Sequence, residues 1–174
     1  MEASQSGEGC YVALTLAHLD IPSLMDRVRS PEAGAIVIFA GTTRNSFASL
    51  PVSHLSYTSY PPLALRSMLA ICEEVRNRHA LKGVAMAHRL GDVPIGEESI
   101  VIAVSAAHRG AAWRAGEEAL EAAKARVEVW KREEFEGEEV EGVWRANRDG
   151  GPGGRGRGQG RVGTQRQRQR FERW

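Results

Sequence analysis

Only two cysteines occur in 174 residues, Cys10 and Cys72, far apart and outside any CxxC pair. That spacing excludes a cysteine zinc site and a disulfide framework, and makes a reducing cytosol the simplest compartment. No apolar run approaches the roughly 18 residues needed to span a membrane. The opening MEASQSGEGC carries two Glu and no basic stretch, so no secretory leader is expected. Several catalytic signatures are also missing. No GxGxxG follows a strand-like run (the Gly-rich tail matches it only by composition), and there is no P-loop, no HExxH, no Ser-His-Asp arrangement, and no carboxylate pair of the glycosidase kind. No metal site and no resident cofactor are expected.

What is present is an ordinary globular composition, with 42% hydrophobic and 26% charged residues. The length suits one domain with a real core. The net charge of +1 hides an asymmetry. Residues 150–174 hold seven Arg and one Glu, a net +6, so residues 1–149 hold −5. Eight of the fourteen residues in GGPGGRGRGQGRVG are glycine, and QRQRQR follows. No apolar periodicity survives there. A disordered Gly/Arg-rich tail is therefore expected over 150–174, after a domain over 1–149 whose first ten residues are flexible.

Within that domain, YVALTLAHL (11–19) reads as a strand, and Asp20 with Pro22 as the start of a short helix ended by Ser30-Pro31. GAIVIFA (34–40) is a continuous apolar run, expected to be a strand buried on both faces. It runs into Gly41-Thr42-Thr43-Arg44-Asn45. The threonine hydroxyls and the five-donor Arg44 fork suit an anion, although the same residues fit a solvated turn. VSHLSYTSY (52–60) alternates as a strand, and Leu63–Arg78 has the three- and four-residue apolar steps of a helix. GVAMAHRL (83–90) is a further strand. His88 and Arg89 point to opposite faces of it, which suggests half-exposed structural roles. GDVPIGEE (91–98) has the composition of a loop or hairpin connection. SIVIAVSA (99–106) is another buried-type strand.

That strand delivers His108-Arg109 to the start of a helix expected from about Ala111 to Arg126, with Trp113, Leu120 and Val127 on one face. Gly116 inside it suggests close packing against another backbone. Lys124 precedes Lys131 by seven residues, nearly two helical turns. The two ammonium groups can share one site if the helix persists or closes with a compact turn. Arg44, His108, Arg109, Lys124, Lys131 and Arg132 together suggest an anion site. A lysine in such a cationic setting can serve as acid, base or nucleophile. The same charges also fit a solvated helix and its flanks.

Several blocks, in order, resemble the large, catalytic subunit of molybdopterin synthase: GAIVIFAGTTRN, LSYTSY, HRLGDVPIGEESIVIAVSAAHR, and KARVEVWKRE followed by Trp144. The resemblance spans most of residues 11–149. It implies an α+β domain of the α/β hammerhead fold, with mixed and antiparallel sheets and packed helices. It implies a sulfurtransferase of molybdenum cofactor biosynthesis. The substrate would be cyclic pyranopterin monophosphate. The sulfur donor would be the thiocarboxylated Gly-Gly end of a small ubiquitin-like subunit, in a heterotetramer built on a homodimer of large subunits. Lys131 and Lys124 would be catalytic. Thr42, Thr43, Arg44, His108, Arg109, Lys124, Lys131, Arg132 and Glu133 would bind substrate. No cysteine is needed, because the sulfur arrives on the partner. Two positions depart from the family pattern: Thr58 replaces a frequent Glu, and Glu128 a frequent Pro. The tail is not part of that pattern either, and supports a competing reading. In it, a nucleic-acid-binding or scaffold protein carries a degenerate enzyme domain. Against nucleic acid, the tail's only aromatics are Phe171 and Trp174.

Overall fold

The computed structural model describes residues 2–136 and 142–147. The expected tail lies outside these residues. The elements in chain order are β1 (Glu2–Gly7), β2 (Cys10–Thr15), α1 (Ile21–Val28), β3 (Ala35–Thr42), β4 (Ser46–Phe47) and β5 (Leu50–Ser59). They continue with α2 (Pro61–His79), β6 (Gly83–Arg89), β7 (Gly91–Pro94), β8 (Glu98–Ala106), α3 (Arg109–Arg126), β9 (Val129–Phe135) and β10 (Arg145–Ala146). One mixed sheet has the order β1-β2-β6-β8-β3, with β2 and β6 parallel and its other pairs antiparallel. The second runs β10-β9-β5-β4, and β7 also pairs with β5. Two sheets with three helices make an α+β domain, as expected.

Strand alternation sorts the first sheet's side chains into two layers. Val12, Leu14, Val84, Met86, Ile102 and Val104 face α2 and α3 in the larger core. Ala13, Ala85, Ala87, Val101 and Ala103 face the other way, under Leu24 and Val28 of α1. The short α1 is held by its cap, where the Asp20 carboxylate accepts from the Ser23 N–H at 3.0 Å.

Several expectations change. Residues 2–7, read as flexible, form β1, which pairs with β2 along its whole length. Their polar side chains are mostly exposed, so alternation with a core could not mark them. Backbone pairing onto β2 needs no apolar face. β3 ends the sheet, so its apolar run is only partly buried, and Ala40 and Thr42 are exposed. Part of GDVPIGEE is the strand β7. Trp113 is 65% exposed. The face of α3 that packs on the sheet is instead Ala112, Ala115, Gly116, Ala119 and Ala123, whose small side chains let the helix lie close. A Cβ at Gly116 would meet the side chains of Val37 and Val104 at ordinary contact distance, 3.5 and 3.8 Å, rather than another backbone.

Candidate active site

A cavity of about 360 Å³ lies between the two sheets. Its apolar wall comes from every layer: Phe39 of β3, Leu55 and Tyr57 of β5, Met68 of α2, Met86 of β6, Ile100 of β8, Leu120 of α3 and Val129 of β9. Its polar groups include Thr42, Arg44, His88, Ser99, Lys124, Lys131, Glu133 and Asn147.

The two lysines converge, but not along one helix. α3 ends at Arg126, its corner closed by the Val127 N–H bonding the Ala123 carbonyl at 3.0 Å. The chain then reverses into β9. Alternation along β9 turns Val129, Lys131 and Glu133 into the cavity and leaves Trp130 and Arg132 outside it. Arg132 instead pairs with Glu134, and its guanidinium sits 5.0 Å from the Trp144 ring. The same alternation takes Glu128 and Thr58 out of the cavity lining.

Glu133 is only 3% exposed. Arg145 of β10 donates to its carboxylate, and the Lys131 ammonium is 4.0 Å away. Arg145 also lies 4.5 Å over the Phe47 ring, tying the β4–β5 hairpin to the chain's last described segment. The site around Lys131 therefore contains a fixed carboxylate, not cations alone. In the loop after β3, Thr42 and Arg44 line the cavity while the intervening Thr43 is buried. The Thr43 backbone N–H donates to the Glu97 carbonyl, and its hydroxyl has no partner within the described residues.

His108 and Arg109 are not brought to this cavity. They line a separate recess with Gly34, Ala107 and Gly110. Ile100 of β8 lines the cavity, and the strand runs on to Ala106, about 20 Å further at 3.3 Å per residue. Within one chain the anion set is thus divided into Arg44, Lys124 and Lys131 in one place and His108-Arg109 in another.

His88 and Asn147 are cavity residues that the sequence pattern did not single out. His88 is 3% exposed rather than half-exposed, with burial pushing its pKa down to about 4. Its parity with Val84 and Met86 was the available signal, since those residues face the core. Asn147 carried no signal. Its side chain reaches His88 from beyond β10, at 3.3 Å. Arg89 is also buried, donating to Glu97 at 2.6 Å and to the Asp92 carbonyl at 3.2 Å, where it braces the turn after β7. Neither cysteine lines the cavity. Burial pushes both thiols up, away from the thiolate form. Among the described residues no cluster of three or more His, Cys, Asp or Glu could hold a metal, and no helix is long and apolar enough to cross a membrane.

The model of one protein family, described as MoaE protein, matches residues 14–126. A molybdopterin synthase catalytic subunit from Pyricularia oryzae is 68% identical over 155 residues, covering 88% of this chain and 84% of the relative. One from Neurospora crassa is 73% identical over 148 residues, covering 85% of this chain and 71% of the relative. Among solved structures, molybdopterin synthase from Staphylococcus aureus superposes with a TM-score of 0.71 at 27% identity, covering 76% of this chain and 94% of that one. A complex of subunits 1 and 2 of molybdopterin-converting factor from Helicobacter pylori shares the fold, with a TM-score of 0.62 at 22% identity, covering 75% of this chain and 88% of that one.

Proposed function

The chain belongs to the MoaE protein family, and we propose that it transfers sulfur to cyclic pyranopterin monophosphate as the catalytic subunit of a molybdopterin synthase. The observation that carries this reading is the convergence of Lys124, Lys131 and Arg44 on one largely apolar cavity. An apolar cavity with a few convergent charged groups suits a flat heterocycle bearing a phosphate. Arg44 serves the phosphate with its planar fork, and the Thr42 hydroxyl adds a donor beside it. The sulfur donor is the thiocarboxylated Gly-Gly end of a small ubiquitin-like subunit. Its anion is drawn to the lysines. As the new C–S bond forms and a C–O bond breaks, the leaving oxygen needs a proton, which Lys131 can supply and an arginine could not. Water then hydrolyses the bond between that sulfur and the terminal Gly carbonyl, leaving the sulfur on the pterin and a carboxylate on the small subunit. Lys124 holds the anion beside it. Glu133, gripped by Arg145, keeps the Lys131 ammonium in place. Arg132 and Thr43 support the site from outside the cavity.

His108 and Arg109 join such a site only from a second copy of the chain, since β8 holds them a strand's length away. A homodimer of large subunits carrying two small subunits allows this. The cytosol is the compartment proposed, in keeping with two free, buried thiols. Residues 150–174 are a tail without a part in catalysis. Of the competing readings, the nucleic-acid one rests on that tail and the scaffold one on Glu128, which lies outside the cavity lining.

The deciding experiment combines the protein, a thiocarboxylated small subunit and the cyclic pterin. Formation of molybdopterin in that mixture is expected. Its absence, with the subunits shown to associate, would leave a binding protein without this activity.

A further inference from the structure

We propose that His88 is the cavity's neutral hydrogen-bond acceptor and reads a donor N–H of the substrate's pterin ring, an inference that rests on the cavity being a pterin site. The His88 ring Nδ1 lies 2.7 Å from the carbonyl oxygen of Arg89. A carbonyl can only accept, so Nδ1 carries the hydrogen. In the neutral ring that leaves a lone pair on Nε2. Burial keeps the ring neutral. Tyr57 meets it edge-on, with centroids 4.9 Å apart and planes at 68°, which fixes the ring's orientation.

The cavity's other polar groups leave this position distinctive. Arg44, Lys124 and Lys131 can only donate when charged. The Glu133 carboxylate is engaged by Arg145, and the Ser99 hydroxyl donates to the Gly41 carbonyl. A pterin's pyrimidine edge presents a ring N–H and an exocyclic amino group, both donors. The three cations cannot satisfy that edge, whereas a neutral, oriented acceptor can. The Nε2 lone pair receives the Asn147 amide N–H at 3.3 Å, beyond the usual 2.9–3.0 Å. The substrate's N–H replaces that long bond with a shorter one. A buried site built to accept also discriminates against analogues that lack the donor.

His88→Asn and His88→Gln separate the two ring nitrogens. Asparagine keeps a donor for the Arg89 carbonyl but does not reach the Nε2 position. Glutamine places an amide oxygen close to Nε2. Affinity for cyclic pyranopterin monophosphate, competition by inorganic phosphate, and single-turnover rates with the thiocarboxylated subunit are measured for each. His88→Asn is expected to raise pterin Kd and KM about tenfold, as for loss of one good hydrogen bond, with kcat and phosphate competition unchanged. His88→Gln is expected to recover most of that loss. A His88→Asn protein that binds pterin like the wild type overturns the inference while leaving the synthase reading intact. So does one that loses phosphate and pterin affinity equally. A wild-type protein that binds no pterin overturns both.

Discussion

Lys131 and His88 are the residues where local chemistry is sharpest. In the proposed reaction Lys131 holds an anion and gives a proton, and only the second task distinguishes lysine from arginine. Lys131→Arg should therefore keep its association with the small subunit yet lose turnover by about 10²–10⁴-fold, the range for a positioned acid. Single-turnover formation of molybdopterin, with subunit binding measured in parallel, checks this. A near wild-type rate would reduce Lys131 to an electrostatic anchor. His88 has a consequence for stability. The unfolded chain takes up a proton at this residue near pH 6.5, whereas the native ring resists until about pH 4. Between those values the unfolded state binds more protons, so stability is full above pH 6.5 and falls as pH drops toward 4, by about 3 kcal/mol from this group alone. Thermal melts from pH 7 to 4.5 should show a larger drop for the wild type than for His88→Gln. Carboxylates protonate in both proteins, and so cancel in the comparison.

At the level of elements, the corner between α3 and β9 matters more than either element. Seven residues separate Lys124 from Lys131, and a continued helix would have placed them nearly two turns apart along its axis. Ending the helix at Arg126 and reversing the chain lets a helical and a strand side chain meet instead. The packing of α1 offers a test of how tightly the far side of the first sheet is built. A Cβ at Gly83, the first residue of β6, would lie 2.9 Å from the Val28 Cα and 3.2 Å from its carbonyl oxygen. Backbone cannot rotate away as a side chain can, so Gly83→Ala must push α1 outward, at about 1–3 kcal/mol. The melting temperature should fall accordingly. Turnover at 25 °C should stay close to wild type, because α1 packs on the sheet face opposite the cavity.

For the whole molecule, the proposed reading, with His108-Arg109 held apart from the lysines, predicts a site shared across the dimer. Arg109→Ala and Lys131→Ala should each be nearly inactive alone. In randomly mixed dimers of the two, half the molecules are hybrid and one of two sites in each is intact, so about a quarter of wild-type activity should return. No recovery in verified hybrids would mean that each chain builds its site unaided. The tail makes an independent prediction: truncation after Asp149 should preserve both turnover and melting temperature. A loss of either would show that the Gly/Arg segment contributes to the enzyme.

Strand and helix identities were legible because their residues repeat with the period of the element that buries them, as in VALTL and the helix over 63–78, or run continuously apolar where both faces are covered, as in SIVIAVSA. The polarity of Glu2–Gly7 hid β1, since an edge strand held by backbone hydrogen bonds needs no apolar alternation. Alternation also determined that Lys131 and Glu133 share a face and that Arg132 does not, once β9 was known to be a strand. Which face looks into a cavity was a tertiary decision, made when β9 paired with β5 and the second sheet closed over the first. His88 became a cavity residue in the same step, as Tyr57 of the second sheet packed on its ring and Asn147 reached its Nε2. The sequence by itself determined which charged residues were available and in what order. The length of β8 decided that they could not all meet within one chain, since an extended strand keeps its ends apart however compactly the remainder folds.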